Sequence, residues 1–457
     1  MTTYELVLKN GRVMDPESGL DAVMNIGVSG GSVQAMSEKA MRGKEELDAS
    51  GLVVAPGFID MHSHGQDDEN YRIQAQDGVT TALELEVGTA DVDAWYASRQ
   101  GRSLINYGAS AGHIPTRMKV LRDPGTFLPM GDAAHRRATD GEVAEILRTL
   151  KRGLERGAPA VGFGLQYTPA ASGWEVLEAF RIAARFGASC HVHVRGMGHA
   201  EPIGAVEGVE EVIAAAAITG APLHVVHISS SGLAATGRLL QTVGEARKRG
   251  MDVTTECYPY TAGMSGIESA IFDEGWQKKL GVDYGDLLWP ATGERLTAES
   301  FARYRKQCGM VVVYFIPDPA MHAAVISPLT AIATDGYLRG GVGHPRTAGS
   351  YARVLGHFAR ESKSLTLMDA IRKSALLPAM RLEKRVPAMK NKGRIRVGAD
   401  ADLVAFDPKT VTDRATYQQP TLPSAGFRHV LVAGVSVVRD DKLQQGLSPG
   451  KPIRASF

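Results

Sequence analysis

The sequence predicts an α/β protein: a (β/α)8 TIM-type barrel with a small β-sandwich domain built from both chain termini. Three observations support this fold class. Apolar strand patterns alternate with amphipathic helical stretches through the middle of the chain, both ends are rich in strand and turn signals, and polar side chains collect where central strands end. The eight candidate barrel strands cover residues 52–60, 80–87, 109–113, 160–165, 189–194, 223–229, 253–257 and 331–335.

The two chain ends are expected to pair into one sandwich domain. Residues 1–54 alternate short strands with turns, among them Asn10-Gly11, which is typical of a hairpin. Residues 392–457 repeat this pattern, with a turn at Asp407-Pro408. Because a different pattern separates these two β-rich ends, we expect their strands to meet in space.

Residues 55–391 are expected to form the barrel, with one interruption at about 261–326. That segment lacks the strand–helix alternation and contains glycines and tryptophans. It is either a lid over the barrel mouth or a packing excursion, and the sequence favours neither.

Composition narrows the function classes. The 457 residues carry a formal net charge of +1, so there is no electrostatic argument for a nucleic-acid or anionic membrane partner. Three cysteines without a CxxC pair indicate a reducing, cytoplasmic protein rather than a disulfide scaffold. The longest nearly apolar stretch, 212–228, is interrupted by Gly220 and Pro222, which favours a helix followed by a strand over a membrane span.

His62 and His64 follow the first barrel strand directly. Residues i and i+2 of a strand face the same side, so both imidazoles can point at one metal ion. A lone HxH pair among 13 histidines is weak evidence. The pair becomes stronger evidence for a metal site because further histidines and an aspartate follow at later strand ends.

His193 and His227 lie at the ends of the fifth and sixth strands and are the next candidate metal ligands. Each has a competitor on the same strand. His191 lies deeper than His193, and His224 precedes His227 by three residues and is expected on the opposite face. We therefore expect His191 and His224 to be structural.

Asp335 follows the eighth strand and is the candidate catalytic residue. A carboxylate at that place can bind a metal, orient its water and carry a proton to a leaving amine. An aspartate before a glycine is also a common turn residue. The four histidines favour the catalytic interpretation.

Glu84 and Glu86 share one face of the second strand. Glutamates are costly in a strand covered on both sides unless they are paired or bound to metal. Glu86 lies nearer the C-terminal rim, so it is predicted to be a bridging or terminal metal ligand. Glu84 is predicted to stand behind the ligands. The alternative is a pair of glutamates neutralised by buried arginine or lysine.

These residues resemble the amidohydrolase superfamily, and more closely its D-aminoacylase (N-acyl-D-amino-acid deacylase)-like branch. The superfamily pattern is carried by PGFIDMHSH (56–64), His193, His227, Asp335 and KGRIRVGADADLVAFDP (392–408). The branch pattern is carried by GVTT (78–81), GLQYTP (164–169), YPYTAG (258–263) and the His344-Pro345-Arg346 segment. The resemblance covers nearly the whole chain.

The resemblance implies a metal-dependent hydrolase of C–N bonds that uses one or two Zn²⁺ ions. Equivalents of His62, His64, His193 and His227 bind metal in this family, and the equivalent of Asp335 is the general acid/base. Metal-activated water would attack the linear amide of a small-molecule substrate, most directly an N-acyl amino acid of D configuration. Self-association into a homo-oligomer stays open.

Two departures from the branch pattern stand out, at Glu86 and Ser229, and a lysine typical of hydantoinases is also missing. The branch usually has a cysteine ligand after strand two, where this chain offers Glu86. The carboxylated lysine of hydantoinases has no candidate, because 160–165 contains no lysine. The usual lysine two residues after the strand-six histidine is Ser229 here. The alternatives are a cyclic amide hydrolase of hydantoinase or dihydroorotase type, against which the missing lysine counts, and a non-catalytic scaffold.

Further candidates have weaker support. Tyr167 is a candidate oxyanion donor, and Arg195, Tyr258 and Arg346 are candidates for holding a substrate carboxylate. Each has an equally plausible structural role. His113, after strand three, is expected behind the ligands. Cys190 and Cys257 are expected to be buried and inert.

Overall fold

The computed structural model describes residues 3–199 and 204–456 of the chain. Its N-terminal strands are β1 (Thr3–Asp15), β2 (Leu20–Ser29), β3 (Ser32–Ser37), β4 (Arg42–Asp48) and β5 (Val53–Pro56). β1 pairs antiparallel with β2 and parallel with both β4 and β5.

The predicted hairpin at Asn10-Gly11 is wrong, because β1 continues through this dipeptide. β1 changes register against β2 between Leu8 and Gly11, and Asn10 has a φ of 60° there. A Cβ on Gly11 would lie 2.5 Å from Cγ2 of Val54. The dipeptide therefore makes a bulge that lets β5 approach closely, a use of glycine that resembles a turn signal in sequence.

Eight parallel strands form the barrel, and the predicted α/β barrel class is confirmed. Seven of them come first: β6 (Phe58–Asp60), β7 (Val79–Thr89), β8 (Asn106–Gly112), β9 (Ala160–Gly164), β10 (Ser189–His193), β11 (Leu223–Val225) and β12 (Val253–Cys257). They pair in sequence order. Nearly all their residues are buried, as expected for parallel strands covered on both faces.

An insertion separates β12 from the last barrel strand. It contains β13 (Ala262–Gly266), β14 (Leu287–Trp289), β15 (Glu294–Arg295) and β16 (Met310–Tyr314), which form an antiparallel sheet in the order β13-β16-β14-β15.

The eighth barrel strand, β17 (Thr330–Ile332), pairs with β12. The gap between β17 and β6 is bridged just beyond the strands. The Thr334 N–H donates to Oδ1 of Asp60 at 3.0 Å, and the N–H groups of His64 and Gly65 donate to the Gly336 carbonyl at 2.9 and 3.0 Å. These bonds tie the ends of the first and eighth strands together at the C-terminal rim.

Fifteen α-helices lie within the described ranges, 3–199 and 204–456. They are α1 (Asp68–Ala75), α2 (Val92–Ala97), α3 (His113–Leu121), α4 (Asp132–His135), α5 (Asp140–Glu155), α6 (Gly173–Arg185), α7 (Ala205–Thr219), α8 (Ile228–Gly232), α9 (Thr236–Lys248), α10 (Trp276–Leu280), α11 (Ala298–Gln307), α12 (Asp318–Ile326), α13 (Arg346–Arg353), α14 (Leu367–Ile371) and α15 (Leu377–Leu382). None of these described helices is long and apolar enough to cross a lipid bilayer.

The amphipathic sequence explains how these helices cover the barrel. In α5, Thr139 and Glu142 form a capping box at the N-terminus, and the buried positions Ile146, Leu150 and Leu154 follow at helical spacing. Consecutive helices α5, α6 and α7 pack on one another around the barrel. α12, which lies within the predicted insertion range, packs on α9 and β17 of the barrel layer.

The last strands are a short hairpin of β18 (Leu338–Arg339) and β19 (Val342–Gly343), followed by β20 (Leu403–Phe406), β21 (Phe427–Val432), β22 (Val435–Arg439) and β23 (Lys442–Leu443). β20 pairs antiparallel with β5, which joins the two chain ends in one nine-stranded sheet. Leu8 and Ile26 share an apolar core with Leu403 and Leu431 from the other terminus.

Candidate metal centre

His62, His64, Glu86 and Asp335 converge at the C-terminal rim of the barrel. The Nε2 atoms of His62 and His64 lie 3.2 Å apart. Oε2 of Glu86 lies 2.7 Å from Nε2 of His62, and Oδ1 of Asp335 lies 3.1 Å from Nε2 of His64. One ligand atom from each of the four residues therefore fits within 4.8 Å of the others.

A second group shares Glu86 with the first. Oε1 of Glu86 lies 3.0 Å from Nδ1 of His193, and His227 completes a set whose ligand atoms again lie within 4.8 Å of one another. The rings of His193 and His227 meet edge to face at 4.4 Å. One carboxylate thus faces two groups of histidines, one oxygen toward each.

Two irregularities in the barrel wall bring Glu86 to this central position. β7 pairs with β8 at Glu84–Ala109 and next at Thr89–Ala111, so β7 carries extra residues and Glu86 lies in the bulge. On β9, a Cβ at Gly162 would lie 2.1 Å from the Glu86 carbonyl oxygen. The glycine thus leaves room for the bulged backbone.

Carboxylates orient both histidines of the first group. Nδ1 of His64 donates to Oε2 of Glu84 at 2.7 Å, and Nδ1 of His62 donates to Oε1 of Glu256 at 2.6 Å. Because a carboxylate only accepts, each Nδ1 carries the proton, and both histidines have Nε2 turned toward the cluster.

Sequence reasoning did not single out Glu256. The signal was nonetheless present, because Glu256 is a carboxylate in a buried parallel strand, the same feature that identifies Glu84.

Backbone strain accompanies the site. His227 has a φ of 31° and Asp335 a φ of 50°. Both values lie in the left-handed region, which residues other than glycine rarely adopt. Such conformations persist where the surroundings hold them and are frequent at functional sites.

The electrostatics favour bound positive charge. Burial opposes ionisation of Glu86, yet His62 and His193 hold the pKa of its carboxyl well below the usual range. Burial likewise opposes ionisation of Asp335, and Arg346 and His62 lower its pKa. Burial, with His193 nearby, lowers the pKa of His227 to about 3, so this imidazole is neutral. Burial opposes charge on His62 and His64, but the neighbouring carboxylates raise the pKa of both imidazoles well above the usual value, so each carries a proton that a bound zinc ion would displace. Carboxylate oxygens and imidazole nitrogens are a donor set that zinc accepts, so these residues fit a zinc centre.

Arg346 and Tyr258 lie beside this centre. Nη1 of Arg346 lies 2.9 Å from Oδ2 of Asp335, and its guanidinium stacks 4.5 Å from the centre of the Tyr258 ring. Arg346 is buried, and within the described chain its Nε and Nη1 atoms have no hydrogen-bond acceptor in good geometry. Since Nη1 already faces Asp335, Nε is the donor of this arginine that has no acceptor among the described residues.

Tyr167 also borders the ligands. Its ring meets that of His193 edge to face at 4.9 Å, and its hydroxyl oxygen accepts a bond from Ser265 at 3.4 Å. Burial, with the charge of Glu86, raises the pKa of Tyr167, which keeps the hydroxyl protonated as a donor.

Arg195 and His113 have other partners. Arg195 pairs with Glu211 at 3.0 Å and donates to the carbonyls of Pro169 and Ala171. His113 begins α3, and its Nε2 bonds Oε1 of Glu175 at 2.8 Å. Cys190 and Cys257 are buried free thiols. Ser229 is buried too.

The insertion covers the cluster and leaves a small cavity beside it. The cavity is lined by Tyr167, His193, Met197, His227, Ser230, Tyr258, Gly263, Met264, Ser265, Ile271, Leu280, Val313, Phe315 and Asp335. Much of its lining is apolar. At about 30 Å³ the cavity has room for only about two water molecules, so a substrate would enter only if the surrounding side chains moved apart.

Comparisons with known proteins agree with this geometry. Residues 45–311 and 219–438 match a profile described as "Amidohydrolase family". An N-acyl-D-glutamate deacylase of Alcaligenes xylosoxydans xylosoxydans is 31% identical over 95% of this chain and 93% of its own length. A D-aminoacylase of the same organism is 27% identical over 95% of this chain and 94% of its own length.

A solved structure is similar throughout. It is the N-acyl-D-glutamate deacylase of Bordetella bronchiseptica, complexed with zinc and a phosphonate inhibitor that mimics the tetrahedral intermediate of the reaction. Its TM-score is 0.84, with 26% identity, and the match covers 99% of this chain and 100% of that one.

Proposed function

Because this chain belongs to the amidohydrolase family, we propose that it hydrolyses a linear amide, that of an N-acyl amino acid of D configuration, in a zinc-dependent reaction. The observation that carries the proposal is the sharing of Glu86 between two ligand groups, the first of which includes Asp335. Such a shared carboxylate suits a two-ion site.

The proposed ligands follow the two groups. His62, His64, Glu86 and Asp335 would hold one ion, and Glu86, His193 and His227 the other. When bound, zinc lowers the pKa of a water molecule and polarises the substrate carbonyl.

The remaining chemistry belongs to the protein's own side chains. Asp335 is ionised, so it can accept a proton on a carboxylate oxygen from the attacking water and deliver it to the leaving nitrogen. Tyr167 would donate its hydroxyl proton as a hydrogen bond to the carbonyl oxygen as charge develops there. The Nε–H group of Arg346, which has no acceptor among the described residues, would bind the substrate carboxylate together with Tyr258.

The cavity wall indicates the polarity of the substrate group that lies away from the scissile amide. Met264, Ile271, Leu280, Val313 and Phe315 are apolar and come from the insertion. An apolar acyl group or side chain would bury its surface against them. Ser229 lies where relatives carry a lysine, so Arg346 is the cation proposed for the carboxylate.

The alternative, a cyclic amide hydrolase with a carboxylated lysine on strand four, conflicts with the space available. At Gly162 even a Cβ would lie 2.5 Å from the Leu85 carbonyl oxygen and 2.1 Å from that of Glu86. The bulge of β7 occupies the room that a lysine would need. Glu86 takes the place of such a bridge.

The cellular location and the oligomeric state of the protein are further proposals. Three free cysteines, two of them buried, fit a cytoplasmic protein. A homo-oligomer is compatible with the structure and is tested by the mass of the protein in solution.

The testing experiment measures zinc per chain in protein purified without chelator and assays N-acyl-D- and N-acyl-L-amino acids side by side. We expect two equivalents of zinc and hydrolysis of D substrates with apolar side chains. Asp335→Asn should lower kcat by about 10²–10⁴-fold, the range of general acid–base catalysis.

Each outcome separates the alternatives. Zinc with turnover of cyclic amides only would move the assignment to that class. Protein that takes up no zinc even when it is supplied would refute the catalytic proposal and favour a scaffold.

A further inference from the structure

The barrel interior below the metal centre is unusually polar. His191, His224, Thr254 and Glu256 occupy neighbouring positions on β10, β11 and β12, since His191 pairs with His224 and His224 with Thr254. The two histidine rings lie 4.6 Å apart. None of these residues belongs to the two ligand groups, so their presence in the core needs another explanation.

Three buried side chains and the half-buried Thr254 form one continuous chain of hydrogen bonds. Nδ1 of His62 donates to Oε1 of Glu256 at 2.6 Å, and Nε2 of His224 donates to Oε2 of Glu256 at 3.1 Å. Nδ1 of His224 lies 2.7 Å from Oγ1 of Thr254. Because Glu256 only accepts, His224 must carry a proton on Nε2, and in the neutral ring Nδ1 accepts from the Thr254 hydroxyl.

The chain ends at the opposite face of the barrel. Nη1 of Arg381 lies 3.4 Å from Oγ1 of Thr254, and the same guanidinium is bidentate to Asp252 at 2.7 and 2.9 Å. A cavity at this face is lined by Thr254, Arg381 and His224. The hydrogen bonds therefore connect His62 to the barrel floor through the interior.

We propose that Glu256 is a positioning residue for the metal centre, and that His224 and Thr254 hold it in place from the barrel floor. This rests on the proposed zinc-dependent function. Glu256 fixes the ring orientation and tautomer of His62 by accepting from Nδ1, which leaves the Nε2 lone pair directed at the ion. His224 fixes the second oxygen of Glu256, so the carboxylate cannot rotate away from His62.

Three substitutions test the chain of contacts. Glu256→Gln keeps the shape and removes the charge. Thr254→Val keeps the shape and removes the hydroxyl that His224 contacts. Thr255→Val is the matched control, because the Thr255 hydroxyl donates to the Val225 carbonyl at 2.7 Å and touches neither Glu256 nor His224.

The readout is the dissociation constant of zinc, measured on the zinc-loaded proteins by competition with a chelator of known affinity. We expect Glu256→Gln to weaken zinc binding about 10–100-fold, as for other orienting partners of metal-bound histidines. Thr254→Val should weaken it about fivefold, the equivalent of about 1 kcal/mol for one hydrogen bond. Thr255→Val should leave it unchanged.

A double variant, Glu256→Gln with Thr254→Val, tests whether the two residues affect zinc binding through the same contacts. If the residues act as one chain, Thr254→Val in the Glu256→Gln background should weaken zinc binding less than it does alone. Should Glu256→Gln fail to fold, the pair Thr254→Val and Thr255→Val carries the test by itself. Circular dichroism of the zinc-free proteins establishes which variants fold.

Two results would overturn the inference: zinc affinity of folded Glu256→Gln within twofold of the unaltered protein, or equal weakening by Thr254→Val and Thr255→Val. Both differ from failure of the proposed function, in which the unaltered protein itself would bind no zinc.

Discussion

Two buried groups in this barrel contain the same three kinds of side chain and differ in how those side chains are used. At the rim, the Asp335 carboxylate lies between Arg346 and His64. In the helical layer, the Glu175 carboxylate on α6 lies between Arg117 and His113 on α3. Sequence analysis marked His113 as a candidate near the ligands.

The arginines show the difference most clearly. Nη1 of Arg117 contacts both oxygens of Glu175 at 2.6 Å, Nε donates to the Ala133 carbonyl at 2.8 Å, and Nη2 donates to the Arg136 carbonyl. Every nitrogen of that guanidinium has an acceptor. Arg346 is equally buried, but its Nε and Nη1 atoms have no well-aligned acceptor in the described residues.

This difference distinguishes a structural ion pair from a functional site. In the Glu175 group the carboxylate charge is already neutralised by a fixed cation. At the rim Arg346 pairs with Asp335, but two carboxylates and four histidines direct ligand atoms at shared points, and Nε of Arg346 has no acceptor among the described residues. A buried histidine beside a carboxylate thus indicates chemistry only where several such groups converge.

The largest difference between the two groups is expected when the shared carboxylate, Glu86, is removed. Glu86→Gln should lower kcat/KM by about 10³-fold, because the metal supplies several kcal/mol of charge stabilisation. It should also reduce zinc from two equivalents to one. Metal analysis and steady-state kinetics check both, with His113→Gln as the control expected to keep both ions. Two tightly bound ions in Glu86→Gln would contradict the bridging role.

The Glu175 group should respond in stability alone. Glu175→Gln leaves Arg117 buried without its counter-charge and should lower the free energy of unfolding by about 3 kcal/mol. Denaturant unfolding of the zinc-free protein measures this. Zinc content should stay unchanged, and a loss of zinc in Glu175→Gln would show that the two groups are coupled.

Acid should weaken the Glu175 group in a defined pH window. Although burial opposes ionisation, His113 and Arg117 lower the pKa of Glu175 to about 2, from 4.5 in an unfolded chain. A carboxyl whose pKa is lower in the folded state contributes stability above the unfolded pKa and loses it as the pH falls. We expect up to about 3 kcal/mol to disappear between pH 4.5 and 2.

The measurement for this window compares denaturant unfolding of the zinc-free protein and of Glu175→Gln at several pH values. The gap in stability between the two should narrow below pH 4.5. A gap that stays constant down to pH 2 would contradict the assignment of the shift to Glu175.

The smallest expected effect separates the two arginines. Arg346→Lys keeps the charge and loses the two-pronged geometry that suits a carboxylate, so KM should rise about tenfold, or 1.4 kcal/mol, with zinc unchanged. Arg117→Lys should leave KM unaltered and lower the melting temperature. A KM that responds to Arg117→Lys and not to Arg346→Lys would reverse the assignment.

The sequence by itself determined the barrel, the sheet of both termini and the strand ends at which His62, His64, His193, His227 and Asp335 lie. These follow from local patterns: apolar runs of strand length and amphipathic helical stretches between them. In a parallel barrel all C-terminal strand ends meet at one rim, so residues far apart in sequence are brought together by the class of fold alone.

Only the tertiary structure decided how Glu84 and Glu86 divide their contacts. The order along the strand favoured Glu86 as the ligand, because it lies nearer the rim, but it did not show that Glu86 would face both ligand groups or that Glu84 would bond Nδ1 of His64. The bulge of β7 and the missing side chain of Gly162 set that difference. Both depend on how closely neighbouring strands approach, a distance that no local pattern encodes.

The same limit applies to Arg195, Arg346 and Glu256. An arginine in sequence carries no sign of whether its N–H groups will meet backbone carbonyls, as those of Arg195 do, or a catalytic carboxylate, as Nη1 of Arg346 does. Glu256 orients His62 across 194 positions of sequence. Hydrogen bonds between distant segments form only once packing has placed both partners, so the sequence determined which groups are present and the fold determined which of them meet.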